Sequence, residues 1–464
     1  MCAILQLRFI HYLLFYLFTF LSLRFSLLKV KEKMILDFTI SNYRSIHTPQ
    51  TISFEATNDK NLESYYVVTK GKYRILKLAT ILGANASGKS NVIKAFRMLY
   101  TLFLEPCRDK SSEIHYDKFA LNTEAMPEDS EMIVNFICGE NKYHYEVVFN
   151  NKIVKSELLQ CHPFEKLRSH LVYERHTDVS TLMSTIKWGA NYPLASIARD
   201  LTVNLLHNRT VFGAYQMSNV DIPWLKEIVD WLSEYMLPNV STTEQKLFNY
   251  TSQLLVNNKV YKEKVVALLK KADVGILDFS IEDKLEEIPE TVLDMILNDS
   301  KIPAKAKETI KNNPVSHSVE VSMMHSTSHG NIPMEYSQES NGTKRYYELS
   351  GVLLKMIQES HFVTIDELEC RLHPDLYKYF IVSYLTNAKD SQMVFTTHLR
   401  EFLSDKDLFR RDSIWITEKN IDGETDLYSL ADFTENEVSK LNVFEAYKAG
   451  RFGGIPHLGN NYID

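Results

Sequence analysis

The stretch GANASGKS, from Gly83 to Ser90, has the residue types and spacing of a phosphate-binding loop, or P-loop. Its two glycines permit tight backbone geometry, so that main-chain N–H groups can point at phosphate oxygens. In such a loop Lys89 neutralises the β- and γ-phosphate oxygens, and Ser90 ligates Mg²⁺. The helix predicted from Lys89 onward contributes the positive end of its dipole. The residues expected to contact the nucleotide are Gly83, Asn85, Ala86, Ser87, Gly88, Lys89, Ser90 and Asn91.

A second pair of reactive side chains follows the apolar run HFVTI, which is typical of a buried strand. Asp366 emerges at the carboxyl end of that strand, where it can complete the ligand shell of a Mg²⁺ ion. Glu367 stands next to it and is placed to polarise an attacking water. A P-loop with such a carboxylate pair predicts an enzyme that hydrolyses a nucleoside triphosphate.

The distance between these motifs along the chain distinguishes subclasses of P-loop protein. Residues 90–365 separate Lys89 from Asp366, whereas compact P-loop enzymes place the two motifs closer together. We therefore expect a large insertion between two halves of one nucleotide-binding core.

Two further segments predict contacts with the nucleotide. SQESNGTKR opens a predicted helix, and its Ser340 and Gly342 make a second anion-binding helix start. This start lies in the wrong half of the chain to reach its own P-loop, so a second copy of the protein would use it; an ordinary helix cap is the alternative. His398 ends an apolar run beside the predicted Asp366 strand, where it can contact the γ-phosphate or the attacking water.

The segments GANASGKSN, ESNGTKR, FVTIDELECRLHP and VFTTH together resemble the ABC-type ATPase heads of SMC and RecF proteins. The resemblance implies a head that dimerises with two ATP molecules, each held between the P-loop of one subunit and the signature helix of the other. MILDFTISNYRSI, SNVIKAF and GRFGGIP are similar to segments of bacterial AAA-family ATPases from phage-defence modules, of the abortive-infection AbiL/RloA type and the OLD-ATPase relatives. The resemblance covers residues 34–456, with a looser match in the helical middle.

The resemblance also implies roles for individual residues. It assigns ATP contacts to Gly83, Asn85, Gly88, Lys89 and Ser90, Mg²⁺ to Asp366, hydrolysis to Glu367, the γ-phosphate switch to His398, and the signature that acts in trans to Ser340 and Gly342. The segment ESNGT departs from the Leu-Ser-Gly-Gly signature of transporter ATPases, which weakens a transporter interpretation. The glutamine of the usual lobe-linking loop is not assigned, although Gln160 is a candidate.

The pattern of apolar residues predicts the domain organisation. Residues 1–33 form an apolar extension, 34–160 a P-loop lobe with a strand meander, 161–315 a mainly helical insertion, and 316–464 a second half that carries the signature, Asp366 and His398. Strands and helices alternate near the end, which indicates parallel strands. The expected fold is an α/β P-loop NTPase, an ABC-type head with a mixed sheet and a large helical insertion.

Composition restricts the class of protein. The chain has 464 residues, of which 45% are apolar and 24% charged, an ordinary globular balance. Its net charge of −7 argues mildly against strong non-specific nucleic-acid binding. The five scattered cysteines match neither a zinc pattern nor a disulfide framework, which favours the cytoplasm.

The apolar start of the chain allows three interpretations. The run FIHYLLFYLFTFLSL is short for a bilayer span, which needs about twenty residues. The chain either begins in fact at Met34, or carries a membrane anchor, or buries this run as a helix. We expect a cytoplasmic protein, with membrane association through residues 1–33 as the alternative.

The function expected from the resemblance is that of a regulatory ATPase. It would use ATP and Mg²⁺ as a conformational switch, in a homodimer or higher homo-oligomer, as the sensor or regulator of an anti-phage module. Its effector would be a separate TOPRIM- or nuclease-like protein, since too few residues follow DSIWITEKN for such a domain. The alternatives are a RecF-like DNA-repair or DNA-clamp ATPase that binds DNA and, with less support, a transporter ATPase subunit.

Overall fold

The computed structural model describes the chain from Lys33 onward, with gaps. The described residues are 33–119, 121, 129–166, 168–192, 197–237, 239–240, 246–256, 258–272, 275–298, 304–433 and 442–456. The predicted apolar extension, apart from Lys33, lies outside them. Within these ranges, none of the helices has the length and apolar character needed to cross a bilayer.

The described residues form strands and helices in mixed order. The strands are β1 Lys33–Ser41, β2 Gln50–Ser53, β3 Val67–Lys70, β4 Tyr73–Leu76, β5 Leu78–Gly83, β6 Ser130–Cys138, β7 Asn141–Phe149, β8 Val154–Pro163, β9 His170–Thr177, β10 Ser184–Trp188, β11 Ile276–Glu287, β12 Val315–Thr327, β13 Gly330–Glu335, β14 Phe362–Ile365, β15 Gln392–Thr396, β16 Ile414–Lys419 and β17 Thr425–Ser429. The helices are α1 Glu63–Tyr66, α2 Lys89–Leu104, α3 Ile197–Asn204, α4 Val211–Gln216, α5 Pro223–Tyr235, α6 Lys246–Val256, α7 Lys259–Lys271, α8 Glu290–Asn298, α9 Ala304–Asn312, α10 Asn341–Gln358, α11 Pro374–Asn387 and α12 Val443–Lys448.

A five-stranded sheet in the order β14-β15-β5-β16-β17 carries the predicted motifs. The first four strands are parallel, and β17 pairs antiparallel with β16. Every residue of β5, β14 and β15 is buried, which explains their continuous apolar sequences. Because parallel strands end at the same edge, the P-loop, Asp366 and His398 meet there. This sheet confirms the predicted α/β fold class.

A seven-stranded antiparallel sheet, in the order β10-β9-β8-β7-β6-β1-β2, forms the second layer. Gln392 of β15 ties it to the first sheet, since its side-chain amide accepts from Ile35 N at 2.7 Å and donates to Ile35 O at 2.9 Å. The predicted meander is present, but strands continue past residue 160 to Trp188. The segment 161–315 therefore begins with β9 and β10 and also contains β11. Two buried positions of β9 are the polar residues Arg175 and Thr177, so polar side chains stand on both faces and hide the two-residue period.

Helices α3 to α9 and strand β11 make up the rest of this middle segment. Strand β11 pairs with β12, which together with β13 belongs to the predicted second half, so this three-stranded sheet crosses the predicted boundary at residue 315. Helix α10 packs on α6, where Thr251 Oγ1 donates to Glu348 O at 2.6 Å. A Cβ atom on Gly351 would lie 2.3 Å from the same hydroxyl, so glycine permits this close approach. The helix that begins at the predicted signature is thus packed against the insertion.

Candidate functional site

The P-loop connects β5 to α2 through a turn that needs glycine. Gly83 and Gly88 have positive φ angles of 154° and 111°, and Ala86 between them has φ 62°. A Cβ atom on Gly88 would lie 2.1 Å from Thr425 Oγ1, so that position has no room for a side chain. The first residues of α2 line the cavity in front of the loop, where the helix N-terminus favours an anion.

Replacing Gly88 by alanine should weaken ATP binding by about 5- to 150-fold, because overpacking at such a contact costs roughly 1 to 3 kcal/mol. Gly330 offers a matched control, since it shares the φ angle of 111° and a Cβ atom there would meet nothing within 4 Å. The Gly88→Ala and Gly330→Ala variants therefore share the backbone strain but not the collision with Thr425. Titration with a fluorescent ATP analogue measures the difference. Equal affinities in the two variants would contradict the prediction.

Lys89 lies at the base of the loop, where the loop's own carbonyl oxygens hold its ammonium group. Its Nζ donates to Gly83 O at 2.9 Å and to Ala84 O at 3.0 Å. Burial lowers the pKa of Lys89, while the charges of Asp366 and Glu367 act in the opposite direction. An anion in front of the loop would also favour the charged form.

Ser90 and Asp366 meet although they are distant along the chain. Ser90 Oγ donates to Asp366 Oδ1 at 3.0 Å, and Thr396 Oγ1 donates to the same oxygen at 2.7 Å. Mg²⁺ takes oxygen ligands and usually binds one or two carboxylates, with water and phosphate at its other positions. The described ranges contain no cluster of three or more His, Cys, Asp or Glu side chains that could hold a metal. A hydroxyl with one carboxylate at the mouth of a P-loop therefore fits Mg²⁺ bound together with a phosphate.

Glu367 follows β14 in a left-handed conformation, with φ 49°. Its main-chain N–H donates to Thr396 Oγ1 at 2.7 Å, which holds this strained residue beside the end of β15. The side chains of Glu367 and His398 are 43% and 39% exposed, and Glu367 Oε1 lies 3.9 Å from His398 Nε2. Both groups therefore reach solvent and lie close enough to act on one water molecule.

Most of the predicted site residues line one open cavity of about 510 Å³. It is lined by Asn85, Ala86, Gly88, Lys89, Ser90, Asn91, Glu367, His398 and Lys419. A cavity of about 740 Å³ shares Asn85, His398 and Lys419 with it and is also lined by Gly83 and Ser87. The structure thus brings the P-loop, Glu367 and His398 together around two adjoining cavities.

Two of the predicted nucleotide contacts have side chains that already bind the protein. Ser87 Oγ lies 2.6 Å from Thr417 Oγ1, and Asn91 Nδ2 donates to Ser45 Oγ at 2.7 Å. These bonds brace the P-loop against β16 and against the turn after β1. The sequence predicts that both residues contact the nucleotide; a contact through either side chain would compete with these bonds, whereas one through the main chain would not.

The predicted signature lies apart from the P-loop of its own chain. Ser340 caps α10, since its Oγ accepts from Thr343 N at 3.1 Å. A Cβ atom on Gly342 would lie 3.1 Å from Arg371 O, so α10 closely approaches the loop after β14. Neither Ser340 nor Gly342 is among the residues that line the two cavities at the P-loop.

The three-stranded sheet contacts Glu339, the residue that precedes the signature. His325 Nε2 of β12 lies 2.5 Å from Glu339 Oε1, and the Glu339 side chain is only 5% exposed. A movement of the three-stranded sheet would therefore be transmitted to the start of α10 through this contact.

The segment GRFGGIP packs beside the P-loop. Gly453 and Gly454 have positive φ angles of 64° and 66°, and Tyr447 OH donates to Gly454 O at 2.8 Å. Gly454, Ile455 and Pro456 line the larger cavity together with P-loop residues. This segment therefore contributes to the wall of the site.

Three residues of the site escaped the sequence analysis. Thr396 links Asp366 to Glu367, Lys419 lines both cavities, and Thr425 Oγ1 donates to Ser87 O at 2.9 Å. Thr396 could have been predicted from the sequence, because it ends a buried strand two residues before His398. The other two had none, because only tertiary pairing brings β16 and β17 beside the P-loop.

The order of strands and the place of each motif define the class of protein. The P-loop segment follows β5, Asp366 follows β14, and His398 follows β15, which lies between those two strands. A large insertion separates the motifs along the chain. This arrangement is the nucleotide-binding core of an ABC-type P-loop NTPase.

A comparison with protein families agrees with this class. Residues 254–404 match the family model described as "AAA domain, putative AbiEii toxin, Type IV TA system". The match contains the signature segment, Asp366, Glu367 and His398, but it does not reach the P-loop. Residues 254–404 are therefore similar to an AAA domain, and the rest of the chain lies outside the match. No curated protein matches it.

Three solved structures of SMC heads are similar to the chain at low scores. One is an SMC head bound to the C-terminal winged-helix domain of ScpA, with 12% identity, a TM-score of 0.42, and coverage of 88% of this chain and 99% of that one. The SMC head domain from Thermotoga maritima has 13% identity, a TM-score of 0.37, and coverage of 85% and 98%. An SMC head with an extended coiled coil, bound to the C-terminal domain of ScpA derived from Pyrococcus furiosus, has 13% identity, a TM-score of 0.35, and coverage of 90% and 99%.

Proposed function

We propose that the chain binds ATP with Mg²⁺ and hydrolyses it in a homodimer or higher homo-oligomer. The observation that carries this proposal is the cluster at the edge of the parallel sheet. There Ser90 donates to Asp366 at 3.0 Å, and Glu367 and His398 line one cavity with the P-loop. These groups supply what phosphoryl transfer to water requires, namely charge neutralisation, positioning and a base.

Each residue of the cluster has a distinct task in the proposed reaction. Lys89 neutralises charge on the β- and γ-phosphates, while Ser90 and Asp366 hold Mg²⁺, which withdraws charge from the phosphate oxygens when bound. Glu367 accepts a proton from the water whose oxygen attacks the γ-phosphorus. The bond from that phosphorus to the bridging oxygen breaks, and ADP and phosphate leave. His398 donates a hydrogen bond to the γ-phosphate and so senses its presence.

The position of Ser340 and Gly342 supports a site completed by a second copy. Both stand at the start of α10, where the main-chain N–H groups and the helix dipole favour an anion. Neither lines the cavities of its own P-loop. In the proposed dimer each signature covers the ATP held by the other subunit, and ATP therefore closes the dimer while hydrolysis opens it.

Mixing two inactive variants tests this composite site. Lys89→Ala should abolish ATP binding, and Ser340→Arg should block the contact in trans, so each variant alone should be inactive. An equimolar mixture should recover about a quarter of wild-type ATPase activity, because half of the dimers are mixed and each has one intact site. A mixture that stays inactive while both variants remain folded and soluble would rule out the composite site.

We further propose that this switch regulates a separate effector in an anti-phage module of the cytoplasm. The description of the matching family, which names an AAA domain and a putative AbiEii toxin of a type IV toxin–antitoxin system, supports a role beside a toxic activity. The chain's own cluster acts on ATP alone. The effector proposed here is TOPRIM- or nuclease-like.

Phage challenge of cells that carry the gene with its neighbours tests the defence role. Wild-type cells should form fewer plaques than cells that carry Lys89→Ala. Equal plaque counts with all phages tested, together with neighbours that encode no toxin, would remove the defence proposal but leave the ATPase proposal intact.

One observation favours a DNA-binding clamp as the second candidate. A cavity of about 370 Å³ on the seven-stranded sheet is lined by Lys72, Lys142 and His162. The ammonium groups of Lys72 and Lys142 each lie 5.4 Å from the centre of the Tyr73 ring. Gln160 also lines this cavity and not those at the P-loop. A shift of duplex DNA in a gel that requires ATP and weakens with salt would favour this function.

A further inference from the structure

The loop after β14 carries a third carboxylate, Glu369, that the reaction above does not use. Its Oε1 accepts a hydrogen bond from the main-chain N–H of His398 at 2.6 Å. The bond fixes the backbone of His398 and does not involve its imidazole ring. Glu369 therefore sets the position of the His398 backbone, from which the ring extends, and not the protonation state of the ring.

Two neighbouring bonds show that this contact belongs to a wider connection. Glu367 N donates to Thr396 Oγ1 at 2.7 Å, and Leu368 N donates to Thr396 O at 3.1 Å. With the bond from His398 to Glu369, they join residues 367–369 to residues 396–398. One set of contacts thus positions the proposed base, Glu367, and the proposed switch, His398. The bond from His398 to Glu369 is the last contact of that set.

The other carboxylate oxygen of Glu369, Oε2, lies in an unusual environment. Oε2 is buried and has no hydrogen-bond partner among the residues that the structure describes. Burial lowers the pKa of Lys89 in the P-loop and of Arg345 in α10, and the negative charge of Glu369 partly opposes that lowering in both. A buried, half-satisfied carboxylate carries a free-energy cost, and Glu369 stands where the P-loop, α10 and the His398 loop converge.

We propose that Glu369 is a positioning residue, which accepts the main-chain N–H of His398 and thereby holds His398 in register with Glu367 for hydrolysis. The proposal rests on the ATPase activity proposed above. It requires an oxygen acceptor at residue 369 and does not require a negative charge. A glutamine there should therefore serve nearly as well as the glutamate, whereas a residue without an acceptor should not.

Steady-state ATPase kinetics of Glu369→Ala and Glu369→Gln test this requirement. Misplacement of a reacting group by about 1 Å can cost on the order of 100-fold in rate, so Glu369→Ala should lower kcat by about 10- to 100-fold. Its KM and its affinity for a fluorescent ATP analogue should stay within about threefold of wild type, since Asp366 and Glu367, whose charges act more strongly on Lys89, remain in place. Glu369→Gln should keep kcat within about threefold. Asp375→Asn is the control, because that carboxylate is 91% exposed and should have no effect.

Each other outcome overturns the inference. Wild-type kcat in Glu369→Ala would show that the bond does not matter, and equal losses in Glu369→Gln and Glu369→Ala would show that the charge is what matters. A wild-type chain without ATPase activity would overturn the proposed function and this inference with it. If Glu369→Ala does not fold, Glu369→Met fills similar space without an oxygen acceptor and takes its place.

Discussion

Replacing Glu367 by glutamine should lower ATP turnover by about 10²- to 10⁴-fold, the usual contribution of a general base. The amide cannot take the proton of the attacking water, but it is nearly the same size and leaves the P-loop, Ser90 and Asp366 unchanged. ATP should therefore still bind and should accumulate uncleaved between two subunits. Phosphate release measures turnover, and size-exclusion chromatography with ATP should detect a stable dimer or higher oligomer.

Lys89→Ala is the contrasting variant in that experiment. Its Nζ group is held at the base of the P-loop, so its loss should abolish ATP binding and the ATP-dependent dimer together. A Glu367→Gln chain that binds ATP and remains monomeric would contradict the proposed dimer. One that hydrolyses ATP at the wild-type rate would contradict the role of Glu367.

Replacing Arg175 by methionine should destabilise the seven-stranded sheet by about 3 to 5 kcal/mol, the usual cost of breaking a buried ion pair. Arg175 and Glu157 are both fully buried, and Arg175 Nη1 lies 3.4 Å from Glu157 Oε2. Glu157 also accepts from Val211 N at 3.0 Å and from Tyr145 OH at 2.9 Å. Without Arg175 this carboxylate is a buried charge without a counterion. Urea denaturation followed by tyrosine and tryptophan fluorescence measures the loss.

The pH dependence of Arg175→Met identifies the cause of that loss. Burial already raises the pKa of Glu157, and Arg175 opposes the rise. Without Arg175 the folded pKa should rise further above the ordinary value of 4.5. The folded state then binds the proton more tightly than the unfolded state, so stability should fall as the pH rises above that value. The deficit relative to wild type should be larger at pH 7.5 than at pH 5.

The double variant Glu157→Gln with Arg175→Met is the control for this prediction. Its glutamine keeps an acceptor for Val211 and Tyr145 but carries no charge. It should recover part of the stability and lose the pH dependence. A single variant whose deficit is the same at both pH values would attribute the loss to packing and not to the buried carboxylate.

The sequence predicted the parts of the site that depend on local geometry. The P-loop needs glycine where the backbone turns left-handed, and Gly88 has that conformation. Asp366 was predictable because a buried strand presents the next residue at its carboxyl end. The boundaries of the insertion were less predictable, since β9 buries the polar residues Arg175 and Thr177 and β10 is short.

What the amino-acid sequence determined by itself is therefore the chemistry: a nucleotide-binding loop, a carboxylate pair, a histidine and a second helix start. The tertiary structure alone decided how they are grouped. It placed β15 between β5 and β14, so that Thr396 bonds to Asp366, and it kept Ser340 away from the P-loop cavities. The physical reason is that strand order and helix packing depend on burying apolar surface over the whole chain, and no short stretch of residues encodes that.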